Sequence, residues 1–275
     1  MVPRRVPRLA APAVACLLLA ACQKPDAASP AAARTGASRP AAASERAELK
    51  DVLDTSATHV IGISYPAGLA KYPQLAALAQ RFAAQARDQL IEAERQRPPD
   101  SAAGPYELSM EFQLRHDSPQ LVVLAVDGST FTGGAHSMPI IQRWVWLPAQ
   151  NRQLTAAELF PQEQSWTRIS SDVRAQLKAE LQQRLEADDI APNERAQLMK
   201  SATAMIEGGT EPKAEDFAVF EPLFDDAGHV SAVRFVFPPY QVGPYSDGTH
   251  TVELPAAQLV QDVAPQYRAL FATAG

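Results

Sequence analysis

The chain has only two cysteines, Cys16 and Cys22, both within its first 22 residues. No disulfide can hold the remaining residues together, and no thiolate can act there as metal ligand or nucleophile. Five histidines occur, at positions 59, 116, 136, 229 and 250, and no two have metal-ligand spacing on one element. A G-x-S-x-G elbow, a P-loop and a G-x-G-x-x-G stretch are all missing. Carboxylates are plentiful, but none are paired in a way that marks an acid and a base. Catalytic residues, a metal and a cofactor are therefore not expected. No apolar run reaches the roughly 20 residues that a membrane span takes. Basic excess is missing too: 25 basic residues face 31 acidic ones. An acidic chain is poorly suited to nucleic acid and electrostatically suited to a basic protein.

At the amino end, Arg4, Arg5 and Arg8 precede an apolar stretch from Leu9 to Ala21. That order is expected of a secretory signal covering residues 1–21. Leu19-Ala20-Ala21-Cys22 is similar to a bacterial lipobox, which implies cleavage before Cys22 and acylation of its thiol. Gln23 in the next position, where Asp would be the retention signal, points to an outer-membrane lipoprotein facing the periplasm. Residues 22–46 hold Ala, Ser, Pro and Arg with no large apolar side chain beyond the cysteine, so they read as a tether. Removing the three signal arginines leaves 22 basic and 31 acidic residues, a net charge of −9.

Apolar periodicity begins at HVIGISYP (59–66), a strand stopped by Pro66. After Pro73, Leu75, Leu78, Phe82, Ala86 and Leu90 recur at helical spacing. Three strand-like runs follow, over 106–114, 120–128 and 138–147. His116-Asp117-Ser118-Pro119 turns between the first two. NRQ (151–153) reads as a turn and TAAELF (155–160) as a short helix. Trp166, Ile169, Val173, Leu177, Leu181 and Leu185 form the clearest helical stripe, which fits core packing. A further helix follows Pro192. FAVFEPLF (217–224), VSAVRFVF (230–237) and HTVELP (250–255) read as strands, and AAQLVQDV (256–263) as a closing helix. The fold class is α+β: antiparallel meanders with packed helices, in two sub-lobes over residues 47–160 and 161–275.

Two stretches stand outside this pattern. FTGGAHSMP (131–139) places Gly133 and Gly134 between strands, where positive φ reverses the chain. His136 could pack against that turn. PPYQVGPYSDGTH (238–250) breaks the strand pattern with Pro239, Gly243, Pro244 and Gly248. Such a loop displays Tyr240 and Tyr245, or packs them at a sheet end. LFDDAGH (223–229) is loosely similar to the Asp-Asp-Gly stretch of polysaccharide deacetylases. The helical histidine pair of that family is missing, and the flanking strands make Asp225-Asp226 a turn.

Taken together, TGGAH after an apolar strand, LTAAELF, and FPPYQVGPYSDG followed by TVELP resemble the extracytoplasmic domain shared by the anti-sigma factor RsiV and the peptidoglycan deacetylase PdaC. The likeness covers about residues 57–272. It implies a PdaC-like lobe over 47–160 and an RsiV-like lobe over 161–275. RsiV uses this domain to bind lysozyme. This chain shows neither a membrane-spanning helix with an anti-sigma segment nor a deacetylase domain. The resemblance thus implies a cell-envelope binding module for a lysozyme-like muramidase or for peptidoglycan. Gly133, Gly134, His136 and Ser137 on one loop, with Tyr240, Pro244 and Tyr245 on the other, are the implied contacts. Two alternatives are a cell-wall glycan enzyme using His136 with a nearby carboxylate, and an envelope scaffold.

Overall fold

The computed structural model describes residues 49–98, 104–187 and 190–271. The signal segment, Cys22 and the tether lie outside them. The first half builds a six-stranded sheet in chain order: β1 (Val52–Thr55), β2 (His59–Ser64), β3 (Tyr106–Asp117), β4 (Val122–Phe131), β5 (Met138–Leu147) and β6 (Arg152–Leu154). Neighbours are antiparallel except β2 and β3, which run parallel and are joined through helix α1 (Pro73–Arg95). A parallel pair needs such a crossover, because no tight turn can return the chain.

The architecture is α+β, with a core on each face of this sheet. On one face α1 packs against Ile61, Leu108, Met110, Phe112, Leu124, Trp144 and Trp146. The centre of the helix contact is Ala76, Ala79 and Ala83, with Leu78, Phe82 and Ala86 only partly buried beside it. Of the face read in the sequence, Leu75 and Leu90 are fully buried; the contact is rotated from Leu78, Phe82 and Ala86 toward the alanines, whose small side chains let the helix approach the strands. On β3, Tyr106, Leu108, Met110 and Phe112 are buried while Glu107, Ser109 and Glu111 are exposed, the alternation of a strand with one covered face. Residues 122–126 and 143–147 are buried without alternation, because both faces of the sheet are covered there.

The other face carries the second half of the chain: α2 (Ala156–Leu159), α3 (Glu163–Ala187), α4 (Pro192–Gly209), the sheet β7 (Phe220–Phe224), β8 (Val230–Phe237) and β9 (His250–Pro255), and α5 (Ala256–Leu259). All six residues of the Trp166–Leu185 stripe are buried. They pack with Phe160, Phe217, Phe235 and Phe237, and with Leu121, Val123, Val145, Leu147 and Leu154 from the six-stranded sheet. This second core thus draws on residues from both sides of position 160.

Several sequence expectations are corrected. Only Asn151, at φ 53°, belongs to the NRQ turn; Arg152–Leu154 pairs with β5 as a strand. Ala214–Phe217 is a 3-10 turn that drops Phe217 into the core, so the strand starts at Phe220. The closing helix stops at Leu259. β1 went unread because four residues with exposed Leu53 have no apolar pattern.

β7 crosses the six-stranded sheet on buried polar contacts. Arg143 of β5, 8% exposed, reaches Asp127 at 2.8 Å and the Glu221 carboxylate at 3.4 Å. It also donates to the carbonyls of Val126 and Gln142. Glu221 accepts a second guanidinium, from Arg234 at 2.8 Å, and Arg234 continues to Glu253. Three residues along β7, Phe224 stacks on the His116 ring at 3.4 Å. Burial there holds the imidazole pKa below its ordinary value, which favours the neutral ring.

Removing Glu221 would take a carboxylate from buried Arg143 and one of two from Arg234, which is a third exposed. Glu221→Ala is expected to lose about 3 kcal/mol in urea unfolding. Glu253→Ala, at the wet end of the same chain of charges, is expected to lose less than about 1 kcal/mol.

A second test concerns His59, which ties β2 to the end of α1. Its Nδ1 lies 2.7 Å from Glu94 and its Nε2 3.5 Å from Asp54, itself paired with Arg87. The hydrogen bond to Glu94 raises the His59 pKa, burial opposes it, and the neighbouring Asp54 carboxylate raises it further. A raised histidine pKa gives stability that is full below the unfolded value and lost as pH rises through the folded value. The stability gap between the native chain and His59→Gln is therefore expected to be wider at pH 6 than at pH 9. Equal gaps in urea titrations would contradict the clamp.

Candidate functional site

β4 and β5 run on past the core as a hairpin whose last pair is Thr130 with Met138. Its tip reverses through Gly133 and Gly134, at φ 85° and 122°. Those values are open to glycine and strained for other residues. His136 emerges from this tip exposed to solvent.

The loop from Pro238 to Thr249, between β8 and β9, is fastened on all sides. Val242 is buried, and the Gln241 amide donates to the carbonyls of Gly209 at 2.9 Å and Asp216 at 2.7 Å. Gly209 is needed for that approach, because a Cβ there would stand 1.9 Å from the Gln241 carbonyl. The amide of Tyr240 donates to Gly243 at 2.9 Å, and Asp247 is paired with Arg184 of α3 at 2.7 Å. Tyr240 itself sits at φ 74°, a region that bulky residues rarely enter. The residue is 51% exposed.

These two loops meet. The Tyr245 ring stacks on the His136 ring with centroids 3.7 Å apart and planes 17° apart. The Tyr245 hydroxyl donates to the Ser137 carbonyl at 2.8 Å, and Tyr240 Oη lies 3.2 Å from His136 Nε2 across 104 residues of sequence. His136 Nδ1 donates to the Ser137 carbonyl at 3.1 Å; with the ring neutral, Nε2 accepts from Tyr240. Three rings thus form one surface, with the Tyr240 and Tyr245 centroids 5.8 Å apart. Met138, which follows Ser137, is 47% exposed. Beside Tyr240 runs an open groove of about 540 Å³ lined by Met205, Gly208, Gly209, Glu215, Asp216 and Gln241.

Of the residues singled out in the sequence, His136, Ser137, Tyr240 and Tyr245 are in mutual contact. Pro244 is exposed and opens the 3-10 turn that carries Tyr245. Gly133 and Gly134 shape the tip. Met138, Glu215 and Asp216 were not singled out. Met138 read as one more apolar strand residue, and the acidic pair lies in a turn with no motif.

The arrangement has little catalytic equipment. Among the described residues His136 has no carboxylate within hydrogen-bond distance; its ring nitrogens meet a carbonyl and a phenol. No group of three or more His, Cys, Asp or Glu side chains among them could hold a metal. No helix among them is long and apolar enough to cross a membrane.

No family model matches the chain, and no curated protein does. Solved structures do. A DUF3298 family protein from Pseudomonas aeruginosa PAO1 aligns over 82% of this chain and 94% of its own, at 18% identity and a TM-score of 0.50. A DUF3298 member from Bacteroides fragilis NCTC 9343 aligns over 80% and 95%, at 14% identity and a TM-score of 0.43. At such identity the first likeness shows the fold alone. It agrees with the α+β architecture that the RsiV and PdaC resemblance implied.

The left-handed backbone of Tyr240 yields a test. Such strain costs about 1–3 kcal/mol and is relieved by glycine. Tyr240→Gly is expected to gain about 1 kcal/mol in urea unfolding, whereas Tyr240→Ala keeps the strain and gains nothing. A loss in the glycine variant would show that the ring holds the loop together rather than being held by it.

Proposed function

We propose that this chain is a cell-envelope lipoprotein whose folded part is a binding module for a lysozyme-like muramidase or for the peptidoglycan that such enzymes cut. One observation carries the reading. Two loops far apart in sequence build a single fastened aromatic surface around His136, Tyr240 and Tyr245. Aromatic side chains with few rotors give contact area at low entropic cost, and a pre-set loop loses little freedom on binding. A net charge of −9 after loss of the signal arginines would speed encounter with a basic enzyme. Exposed Glu215 beside Tyr240 puts part of that charge at the surface itself, whereas Asp216 is paired with Lys213.

The membrane attachment belongs to the same proposal. Acylation at Cys22 would fix the module to the envelope, since each buried CH₂ contributes roughly 0.8 kcal/mol and several chains are attached.

Calorimetric titration with a c-type lysozyme, at low and at moderate salt, tests the partner and the surface together. Binding is expected, weaker at higher salt, and reduced about 30-fold or more by Tyr245→Ala, the scale of an aromatic hot spot. Binding unaffected by Tyr245→Ala and Tyr240→Ala would keep the partner and discard this surface. If lysozyme gives no heat at either salt, soluble peptidoglycan fragments are the remaining ligand, and silence there too would refute the reading.

A further inference from the structure

The six-stranded sheet ends at β1, and the turn after β1 fixes which of its backbone groups look outward. The Ser56 amide donates to the His59 carbonyl at 2.8 Å, closing a two-residue turn. Hydrogen-bonded pairs alternate from there along the antiparallel ladder, so Asp54 bonds Ile61 and Val52 bonds Ile63. The N–H and C=O groups of Leu53 and Thr55 therefore point away from β2. The same alternation turns out those of Asp51, whose carboxylate accepts from the Tyr65 amide at 2.9 Å. Among the described residues, no hydrogen bond outside the ladder engages the β1 backbone. Leu53 is 84% exposed, more than any other large apolar residue described.

Free edges of this kind are commonly blunted by lysine, proline or a bulge. β1 is short, but it has none of the three. Its one charge, Asp54, is paired with Arg87 at 2.8 Å, and His59 Nε2 lies 3.5 Å away. Bulk stays clear of the edge as well. α1 packs along β3, and the second core rests on β4, β5 and β6.

We propose that β1 pairs antiparallel with β1 of a second copy of this chain, joining the two six-stranded sheets edge to edge. One register is favoured. Leu53 opposite Leu53 of the second copy sets Asp51 opposite Thr55 on both sides. All three outward residues of each strand then exchange hydrogen bonds, about six in all. The two exposed leucines lie against each other. A shift either way loses one of the pairs, and the shift toward Thr55 sets Asp54 against Asp54, a repulsive pairing. A second copy suits this edge better than an unrelated strand, since symmetry supplies the matching leucine. The two-fold axis stands normal to the sheet, which keeps both α1 helices on one face with axes about 24 Å apart, at about 4.8 Å a strand. Such a short strand makes a small interface, in the weak and reversible class. The proposed anchor at Cys22 would hold copies in one membrane and raise their local concentration. The pairing does not rest on the lysozyme or peptidoglycan reading, because β1 shares no residue with the surface at His136.

The chain has no cysteine beyond residue 22, so one thiol placed in β1 reads the pairing, with the unmodified chain as the blank. Leu53→Cys sets two thiols on residues whose Cα atoms stand about 5.5 Å apart, within disulfide range. Thr55→Cys, also exposed, sets them about 14 Å apart. The full chain is oxidised mildly, both in cells and purified. Leu53→Cys is expected to form a disulfide-linked dimer about ten-fold faster than Thr55→Cys, which lies outside that range. Adding Thr55→Pro to the Leu53→Cys chain keeps the β1–β2 ladder, since the lost N–H faces outward, and is expected to abolish the dimer. Circular dichroism matching the parent chain checks that this variant folds. Equal rates at the two cysteine positions, no dimer from Leu53→Cys, or a link from it to a different protein would overturn the proposal. So would a dimer that survives Thr55→Pro with the fold intact.

Discussion

The placement of the candidate surface depends on how β7 lies across the six-stranded sheet. Glu221 meets Arg143 at one level of β5, and Phe224 meets His116 further along. His116 pairs with Val123, and Val123 with Val145, so β7 runs from the level of Arg143 toward that of Val145. β8 is antiparallel to β7 and therefore leads back past Arg143 toward Met138. The loop after β8 arrives at the hairpin tip, where Tyr245 finds the Ser137 carbonyl. A slip of two residues between Glu221 and Arg143 would carry that loop about 7 Å along the sheet, too far to stack on His136.

A charged contact suits this role better than an apolar one. Leucine against valine tolerates sliding, whereas a buried guanidinium has few acceptable positions. The Arg143–Glu221 contact is ionic and lies off the hydrogen-bond line, which leaves Arg143 Nε and one Glu221 oxygen without a hydrogen-bonded partner. Desolvation offsets much of the attraction in such a pair, so its net stabilisation is small. Its effect is to make one register cheaper than its neighbours. The apolar interior of the second core then supplies the stability, with each buried large side chain contributing about 1.5–3 kcal/mol.

The legible parts of the sequence were those where one local rule decides. The Trp166–Leu185 stripe, the β8 run and the β9 run each stand where their periodicity put them. Misreadings arose where tertiary packing overrode the local pattern. Phe217 looked like a strand residue beside Phe220, yet the core between α3 and β8 takes its ring from a 3-10 turn. The α1 face centres on alanines, which hydrophobicity alone does not flag. For the site, glycines, prolines and tyrosines marked both loops, and the family resemblance paired them. The contacts of His136 with Tyr240 and Tyr245 could not be read, because they follow from the crossing of β7 over β5. Neither could the positive φ of Tyr240 nor the acidic groove beside it.

The central claim is that the loops at residues 131–137 and 238–249 form one pre-set surface in the free protein. Proton NMR tests it directly, through nuclear Overhauser contacts between the His136 and Tyr245 rings together with backbone order parameters for both loops. Strong ring contacts, with order parameters on both loops near the roughly 0.85 of rigid backbone, are the result the account predicts. Missing ring contacts, with order parameters below about 0.6 on either loop, would contradict it.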